Sequence, residues 1–330
     1  MTVQLVGDEL LPPAPSPPRR HLISIADLTR EDVQRLLATA RSFEQSLDRE
    51  VKKLPTLRGR TVVNLFFESS TRTSSSFELA AKRLSADTMS FKASGSSVDK
   101  GESLRDTALT LAAYDPDVIV IRHPHIGAPH LVAGATAAHV VNAGDGKHQH
   151  PTQALLDLYT IREALGRLDG VSVAIVGDVL HSRVARSLVE ALVLVGADAV
   201  LVAPPTLLPR GIEALGCSVS HSIETIADAD VVYVLRMQAE RMEAAYVPSL
   251  REYTALYGVT PGRVRPGQVV MHPGPMNRGV EIDPRVADSD ASLVTTQVRS
   301  GLVVRMAVLY DLLTAPGLPS AVAASVLEVA

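Results

Sequence analysis

The sequence predicts an α/β protein with two domains, each with a mainly parallel sheet flanked by helices, joined by interdomain helices. Short β-rich runs alternate with helical patterns, which is typical of parallel sheets. The alternation is interrupted by one helical stretch at residues 152–165 and then begins again. A length of 330 residues and a hydrophobic content of 46% supply enough apolar side chains for two cores.

The first half of the chain begins with the pattern of a βαβ unit. Residues 61–67 read TVVNLFF, and their β-branched and aromatic side chains favour a strand. A polar loop follows, and then Phe77, Ala80, Ala81 and Leu84 recur at helical spacing. The other elements predicted here are strands at 89–91, 118–122 and 139–142 and a helix marked by Leu104, Ala108 and Leu111.

The second half repeats this order after the connecting helix. Strands are predicted at 171–176, 198–203, 231–235 and 269–271, and a last helix at about 298–313. The proline-rich run LPPAPSPP at 11–18 favours extended backbone without amide donors. We therefore expect a mobile segment at 1–20, a first domain at 21–152 completed by a C-terminal helix within 298–330, and a second domain at 153–297.

Composition excludes several classes of function. The net charge of -4 and the pI near 6.2 give no basic surface for a nucleic acid or an anionic membrane. The one cysteine, Cys217, cannot form an intrachain disulfide or a thiolate cluster, which suits a reducing cytosol. The N-terminus lacks the apolar core of an export signal, and no continuous apolar run is long enough to span a membrane.

The segment FFESSTRTSSSFELA at 66–80 predicts a phosphate site. A strand ends there in hydroxyl residues around one arginine and a helix begins. Amides at a helix N-terminus carry partial positive charge, Ser70, Thr71 and Thr73 add donors, and Arg72 adds a fixed cation. The alternative is an ordinary hydroxyl-rich helix cap.

A second polar segment, NAGDGKHQHPTQALLDLYTI at 142–161, precedes the connecting helix. His150 and Gln153 lie three residues apart, so both could face one ligand. Histidine can donate to a carbonyl oxygen, and a primary amide can donate and accept. His123, His125, His148 and His181 are interpreted as structural, because no metal-ligand spacing joins them.

Three arginines are predicted just beyond the ends of parallel strands. They are Arg122, Arg183 after the loop VGDVLHS, and Arg236, with Gln238 following in the run RMQ. Ligands of open α/β sheets collect outside the carboxyl ends of the strands, and arginine binds carboxylates and phosphates in pairs of hydrogen bonds. Each one alone would more often be a surface charge, but their repeated placement favours an anion site.

From about residue 21 onward, the order of STRT, RHP, HPTQ, the arginine after VGD, RMQ and HPGP resembles the aspartate/ornithine carbamoyltransferase family. HPTQ and RMQ look like the aspartate branch. An ornithine-specific relative usually has a cysteine in the HPxQ motif and another in an HCLP motif, where this chain reads HPTQ, with Thr152, and HPGP, with Gly274 in the place of the leucine. The resemblance implies carbamoyl transfer from carbamoyl phosphate to L-aspartate, an early step of pyrimidine biosynthesis, in the cytoplasm and without a cofactor or metal.

The resemblance also assigns roles to residues. The aspartate carboxylates would meet Arg183 and Arg236, supported by Gln238, while Ser96 and Lys100 would reach the site from a neighbouring subunit of a homotrimer. Thr73, Arg122 and His150 would stabilise the oxyanion, with Arg72 and Lys100 as further catalytic cations. The carbamoyl phosphate ligands would be Ser70, Thr71, Arg72, Thr73, Ser96, Arg122, His150, Gln153 and the main-chain carbonyls of Gly274 and Pro275.

Other hypotheses remain open from the sequence. A nicotinamide dehydrogenase would also place a glycine after a strand, but Gly177 is not part of a G-x-G-x-x-G run. Transfer to ornithine or another amino acid, or a non-catalytic phosphate-binding assembly partner, are the remaining alternatives. A regulatory chain, a dihydroorotase or no further partner are all compatible with the sequence.

Overall fold

The structure is a computed structural model that describes residues 21–92, 101–238 and 246–314. It contains two domains, each built on a parallel sheet with helices packed on it. The predicted fold class is therefore confirmed. The N-terminal segment 1–20 and the tail 315–330 lie outside the described residues, and so do the predicted site residues Ser96 and Lys100.

The first sheet has four strands in the order β2-β1-β3-β4, all parallel. Their β-branched residues point into apolar layers on both faces, so β1 reads as a nearly continuous buried run. Each end lies within a few residues of the prediction, and β4 runs three residues beyond it. The strands are β1 (Thr61–Phe66), β2 (Asp87–Lys92), β3 (Val118–His123) and β4 (His139–Asp145).

The second sheet has five parallel strands in the order β7-β6-β5-β8-β9. Four of them match predicted strands to within one residue at each end. The short edge strand β7 carries serines at both ends and gave no β pattern in the sequence. The strands are β5 (Ser172–Val176), β6 (Asp198–Val202), β7 (Ser218–Ser220), β8 (Val231–Val234) and β9 (Val269–Met271).

Helices cover both sheets. The first of them was not predicted, although Thr29 and Asp32 form a capping box at its start. The helices are α1 (Arg30–Ser46), α2 (Thr71–Arg83), α3 (Leu104–Ala112), α4 (Ala128–Ala135), α5 (Pro151–Leu165), α6 (Arg183–Val195), α7 (Leu250–Tyr257), α8 (Pro284–Ala287) and α9 (Val294–Leu313).

Two long helices connect the domains. Helix α5 is buried over most of its length and contacts α6 of the second domain as well as α9. Helix α9 begins four residues before the predicted start at 298, and it packs against α1, α2 and α5 on the first domain. The predicted boundary between 152 and 153 falls inside α5, and the domain bounds stay a prediction.

Each sheet has one position where the chain reverses the direction in which strands are added. In the first sheet it lies between β1 and β3, and in the second between β5 and β8. The loops that leave such neighbouring strands diverge to opposite faces and leave a crevice at the carboxyl ends. The two crevices face each other across the domain junction, where residues from both line one cavity.

Among the described residues, none of the helices has the length and apolar character needed to cross a membrane. The single cysteine, Cys217, is buried as a free thiol.

Candidate active site

A cavity of about 770 Å³ lies between the two domains, at the carboxyl ends of their strands. Residues after β1, β8 and β9, the end of β3 and the starts of α5 and α6 all reach it. The structure brings together every predicted site residue that it describes: Ser70, Thr71, Arg72, Thr73, Arg122, His150, Gln153, Arg183, Arg236, Gln238, Gly274 and Pro275. Ser96 and Lys100 stay predictions.

The turn between β1 and α2 presents a helix N-terminus to this cavity. Ser70 caps α2, and its hydroxyl accepts a hydrogen bond of 3.3 Å from the Thr73 amide. Phe77 is fully buried and holds the helix against the sheet. The amides that open α2 have no intrahelical acceptor, so the predicted phosphate cradle has the required local geometry.

The cavity is strongly cationic. Arg72, Arg122, Arg183, Arg236 and Arg305 line it, and Glu68 is the one acidic side chain among the described residues of its lining. The Glu68 carboxylate lies 2.5 Å from Arg183 Nη2 and 3.4 Å from Arg122 Nε. One carboxylate thus connects an arginine from each domain, while a net positive charge remains for anionic ligands.

Arg122 and Arg183 lie where the sequence placed them, one at a strand end and the other after a strand and its loop. Arg122 is the penultimate residue of β3, and its Nη1 donates to the Ala143 carbonyl at 3.3 Å. Arg183 is the first residue of α6 and only 4% exposed, because the loop after β5 folds inward before the helix starts. Arg236 is the second residue after β8, which ends at Val234.

His150 is a buried neutral imidazole beside these arginines. Its backbone amide donates to Ser187 Oγ at 2.7 Å, which fixes the start of α5. Burial lowers the pKa of His150 well below its ordinary value, and the charges of Arg122, Arg305 and Arg183 add to the effect. A neutral imidazole among cations is suited to donate a hydrogen bond to an oxygen and unsuited to hold a proton.

Gln153 lies one turn into α5, and its amide nitrogen donates to the Asp157 carboxylate at 3.1 Å. Asp157 is fully buried. It also accepts hydrogen bonds from Tyr233 of β8 and Gln297 of α9. The floor of the cavity is therefore held by a polar network that joins both domains.

On the second domain, Gln238 is tied to the loop that carries Arg183. Its amide donates to Asp178 Oδ2 at 3.3 Å, and Asp178 also bonds the ring of His181 at 2.8 Å. His181 is thus structural, as the sequence indicated. The residues proposed for one ligand, Arg183, Arg236 and Gln238, come together by this connection.

The HPGP turn after β9 is rigidly supported. The Gly274 amide donates to His272 Nδ1 at 2.8 Å, so the proton on the ring must sit on Nε2, which lies 3.2 Å from the buried Glu281 carboxylate. Gly274 has φ +65°, and a Cβ built there would lie 2.1 Å from Arg72 Nη1. The position therefore needs glycine both for its backbone conformation and for the space that Arg72 occupies.

The residues not predicted from the sequence include Glu68, Gln297 and Arg305 in the cavity lining and Asp157 beneath it. The signal for Arg305 was available, since a lone arginine in the apolar run GLVVRMAVL of a helix indicates a buried charge. Arg305 is 4% exposed, and its guanidinium lies 5.1 Å from the centre of the Phe77 ring. Burial lowers the pKa of Arg305 to about 10, so it stays charged at neutral pH.

Within the described ranges, no group of three or more histidine, cysteine or acidic side chains is placed to hold a metal ion. Arginines, hydroxyls, amides and the neutral imidazoles of His150 and His272 dominate the lining of the cavity.

Two family models match the chain in sequence. Residues 20–163 match the aspartate/ornithine carbamoyltransferase carbamoyl-P binding domain, and residues 169–312 match the Asp/Orn binding domain of the same family. The aspartate carbamoyltransferase catalytic subunit of Acidothermus cellulolyticus is 59% identical over 298 residues, which cover 89% of this chain and 92% of the relative. That of Thermobifida fusca is 57% identical and covers 89% and 95%.

Solved structures resemble the fold over the same range. Aspartate transcarbamoylase from Trypanosoma cruzi in complex with N-(phosphonacetyl)-L-aspartic acid superposes with a TM-score of 0.83 at 34% identity, covering 89% of this chain and 96% of that one. The same enzyme with carbamoyl phosphate and aspartate gives 0.83 at 33% identity, with 89% and 97% covered. The catalytic subunit from M. jannaschii gives 0.78 at 39% identity, with 88% and 97% covered.

Proposed function

Because the chain belongs to the aspartate/ornithine carbamoyltransferase family, we infer that it transfers the carbamoyl group of carbamoyl phosphate to the amine of L-aspartate, an early step of pyrimidine biosynthesis. The products are N-carbamoyl-L-aspartate and phosphate. The observation that carries this inference is the cationic cavity at which the crevices of both sheets meet. It joins a helix N-terminus suited to phosphate with separate arginines suited to a dicarboxylate.

We propose that the first domain binds carbamoyl phosphate. The phosphate meets the hydroxyls and amides of Ser70, Thr71 and Thr73 together with the Arg72 guanidinium, all of which line one end of the cavity. The carbamoyl oxygen faces Arg122 and His150. The carbamoyl amino group donates hydrogen bonds to Gln153 and to the main-chain carbonyls of Gly274 and Pro275.

We propose that L-aspartate binds on the second domain. Arg183 and Arg236 receive its two carboxylates, and Gln238 supports them. This assignment is supported by the contact between the Gln238 amide and Asp178, which lies in the loop that carries Arg183. An ornithine side chain would bring an ammonium group into this cationic region, which repulsion opposes.

The reaction needs no covalent enzyme intermediate. The neutral amine of aspartate attacks the carbamoyl carbon, negative charge grows on the carbonyl oxygen, and the phosphate leaves with the bonding electrons and can accept the amine proton. Thr73, Arg122 and neutral His150 stabilise the growing charge, and the cavity holds both reactants in contact. His150 acts as a hydrogen-bond donor in this scheme and not as a general base.

A product assay tests the function. Purified protein is given carbamoyl phosphate with either L-aspartate or L-ornithine, and N-carbamoyl-L-aspartate and citrulline are measured. We expect turnover with aspartate and a far larger kcat/KM for it. A larger kcat/KM for ornithine would overturn the substrate assignment, and no turnover with either would favour the non-catalytic alternative.

We also propose that the active site is shared around a homotrimer, with Ser96 and Lys100 supplied by the neighbouring subunit. Support comes from apolar side chains exposed on the first domain: Leu79 on α2 and Leu109 on α3 are each 41% exposed, and Tyr114 is 62% exposed. Such side chains are suited to an interface between copies of the chain.

Mixing two inactive variants tests the shared site. Arg72→Ala and Lys100→Ala trimers are each expected to be nearly inactive. In randomly reassembled equal mixtures, about a quarter of the sites would pair an intact Arg72 with an intact Lys100 and regain activity. A wild-type sample taken through the same dissociation is the control. Mixtures that stay inactive while this control recovers would contradict the shared site.

The wider assembly and the location are separate proposals. A mass measurement of the native complex distinguishes a trimer alone from one joined to a regulatory chain or a dihydroorotase. We propose a cytosolic location, which the single buried cysteine supports. Cell fractionation is the measurement.

A further inference from the structure

The fully buried carboxylate of Asp157 lies just beneath the cavity without being part of its lining. Its Oδ1 accepts from Gln153 Nε2 at 3.1 Å and from Gln297 Nε2 at 2.7 Å, and its Oδ2 accepts from the Tyr233 hydroxyl at 2.8 Å. A carboxylate enclosed in this way is costly to bury, and stability alone is a weak reason for it. Its more specific effect is on the orientation of the side-chain amides of Gln153 and Gln297.

Asp157 fixes the orientation of the Gln153 amide. With Nε2 bonded to the carboxylate, the carbonyl oxygen Oε1 is directed elsewhere, and no described residue donates a hydrogen bond to it. Burial raises the pKa of Asp157 to about 7, and against its ionised form a flipped amide would bring Oε1 onto Oδ1, two acceptors with no proton between them. One Nε2 hydrogen of Gln153 is thus held by Asp157, and its carbonyl oxygen is left as an acceptor for a ligand in the cavity that it lines.

The same oxygen of Asp157 orients a second amide. Gln297 donates to it through Nε2, and Gln297 Oε1 in turn accepts from the His272 backbone amide at 2.9 Å. His272 also receives the Gly274 amide on its ring. A flipped Gln297 would lose both bonds at once, so the carboxylate also holds the turn at 272–275 in place.

We propose that Asp157 is a positioning residue that makes the site select an amino group on the substrate carbonyl. Through Gln153 it directs one acceptor into the cavity, and through Gln297 it holds the turn whose carbonyls supply others. This rests on the proposed function, in which these acceptors receive the carbamoyl NH2. Acetyl phosphate has a methyl group there, which would leave the acceptors without donors, and such buried losses are what polar sites use to reject analogues.

The selectivity is measured by direct binding, since a structural role alone would weaken both ligands together. Dissociation constants of carbamoyl phosphate and acetyl phosphate are obtained by competition against inorganic phosphate. We expect Asp157→Ala to reduce the ratio in favour of carbamoyl phosphate by about 10-fold, with phosphate affinity little changed. Asp157→Asn should restore much of it, because its oxygen can face both amides while its NH2 meets the Tyr233 hydroxyl.

Two further variants keep the test decisive if Asp157→Ala does not fold. Gln297→Met has a similar length without an amide and should lower the ratio through the 272–275 turn. Tyr233→Phe removes the donor to Oδ2 while both amide bonds to Oδ1 remain, so it should change the ratio far less than Gln297→Met and is the matched control. The proposal would be overturned if the affinity ratio of carbamoyl phosphate to acetyl phosphate stayed unchanged in Gln297→Met and in any folded Asp157→Ala. It would also be overturned if these variants weakened the binding of both ligands equally. Binding does not need turnover, so failure of the aspartate assay would be separately visible.

Discussion

Replacing Gly274 by alanine should impair carbamoyl phosphate binding by displacing Arg72. The built Cβ lies 2.1 Å from Arg72 Nη1, 2.5 Å from Cζ and 2.9 Å from Nη2, whereas ordinary contacts begin at 3.4 Å. The guanidinium must therefore move by about 1 Å or more, and shifts of that size can cost about 100-fold in rate. The left-handed φ of +65° adds about 1–2 kcal/mol of backbone strain.

Steady-state kinetics with saturating aspartate measure the effect. We expect kcat/KM for carbamoyl phosphate to fall by about 10- to 100-fold, because a charge-assisted contact to the phosphate contributes about 1.5–3 kcal/mol. Gly279→Ala is the matched control, since Gly279 lies in the same loop at φ +82° with nothing within 4 Å of its built Cβ. Gly279→Ala therefore has the same kind of backbone strain without a steric clash with another side chain.

The comparison of the two alanine variants separates the causes. Similar losses of stability in both, with a kinetic loss confined to Gly274→Ala, would support the steric reasoning. If Gly274→Ala binds carbamoyl phosphate as tightly as Gly279→Ala, then Arg72 does not depend on the space at 274 and the reasoning is refuted.

Three other outcomes are expected. Gly144→Ala places a Cβ 2.7 Å from Arg183 Nη1. The KM for aspartate should therefore rise about 10-fold while the affinity for carbamoyl phosphate is kept. Equal effects on both substrates would contradict the separate carboxylate site. His150 should remain unprotonated at pH 6.5 in an NMR titration, because burial and three arginines lower its pKa; half-protonation there would argue against a neutral donor. Solution scattering should show the domains closing when a bisubstrate analogue binds, and an unchanged profile would count against closure.

Much of the fold and the site was readable from local sequence. The period of apolar residues located the strands that hold the site and the helices α2, α3, α5 and α9, because a buried strand or a helix face needs no distant information. The STRT and HPTQ segments indicated where α2 and α5 begin, since helix caps and N-terminal prolines act within one turn. Helix α1, the short helices α4, α7 and α8 and the edge strand β7 were missed, as their patterns are weaker than the packing that stabilises them.

What only the tertiary structure decided is how distant charges meet. The sequence predicted that Arg122, Arg183 and Arg236 lie near strand ends. It could not predict that Glu68 contacts both Arg122 and Arg183, because a salt bridge across domains depends on sheet order and crossover direction. Arg305 and Gln297 reach the cavity only because α9 crosses back to the first domain. The network around Asp157 follows from the same packing: three donors far apart in the chain converge on one carboxylate, and only the folded geometry determines which of its oxygens each one meets.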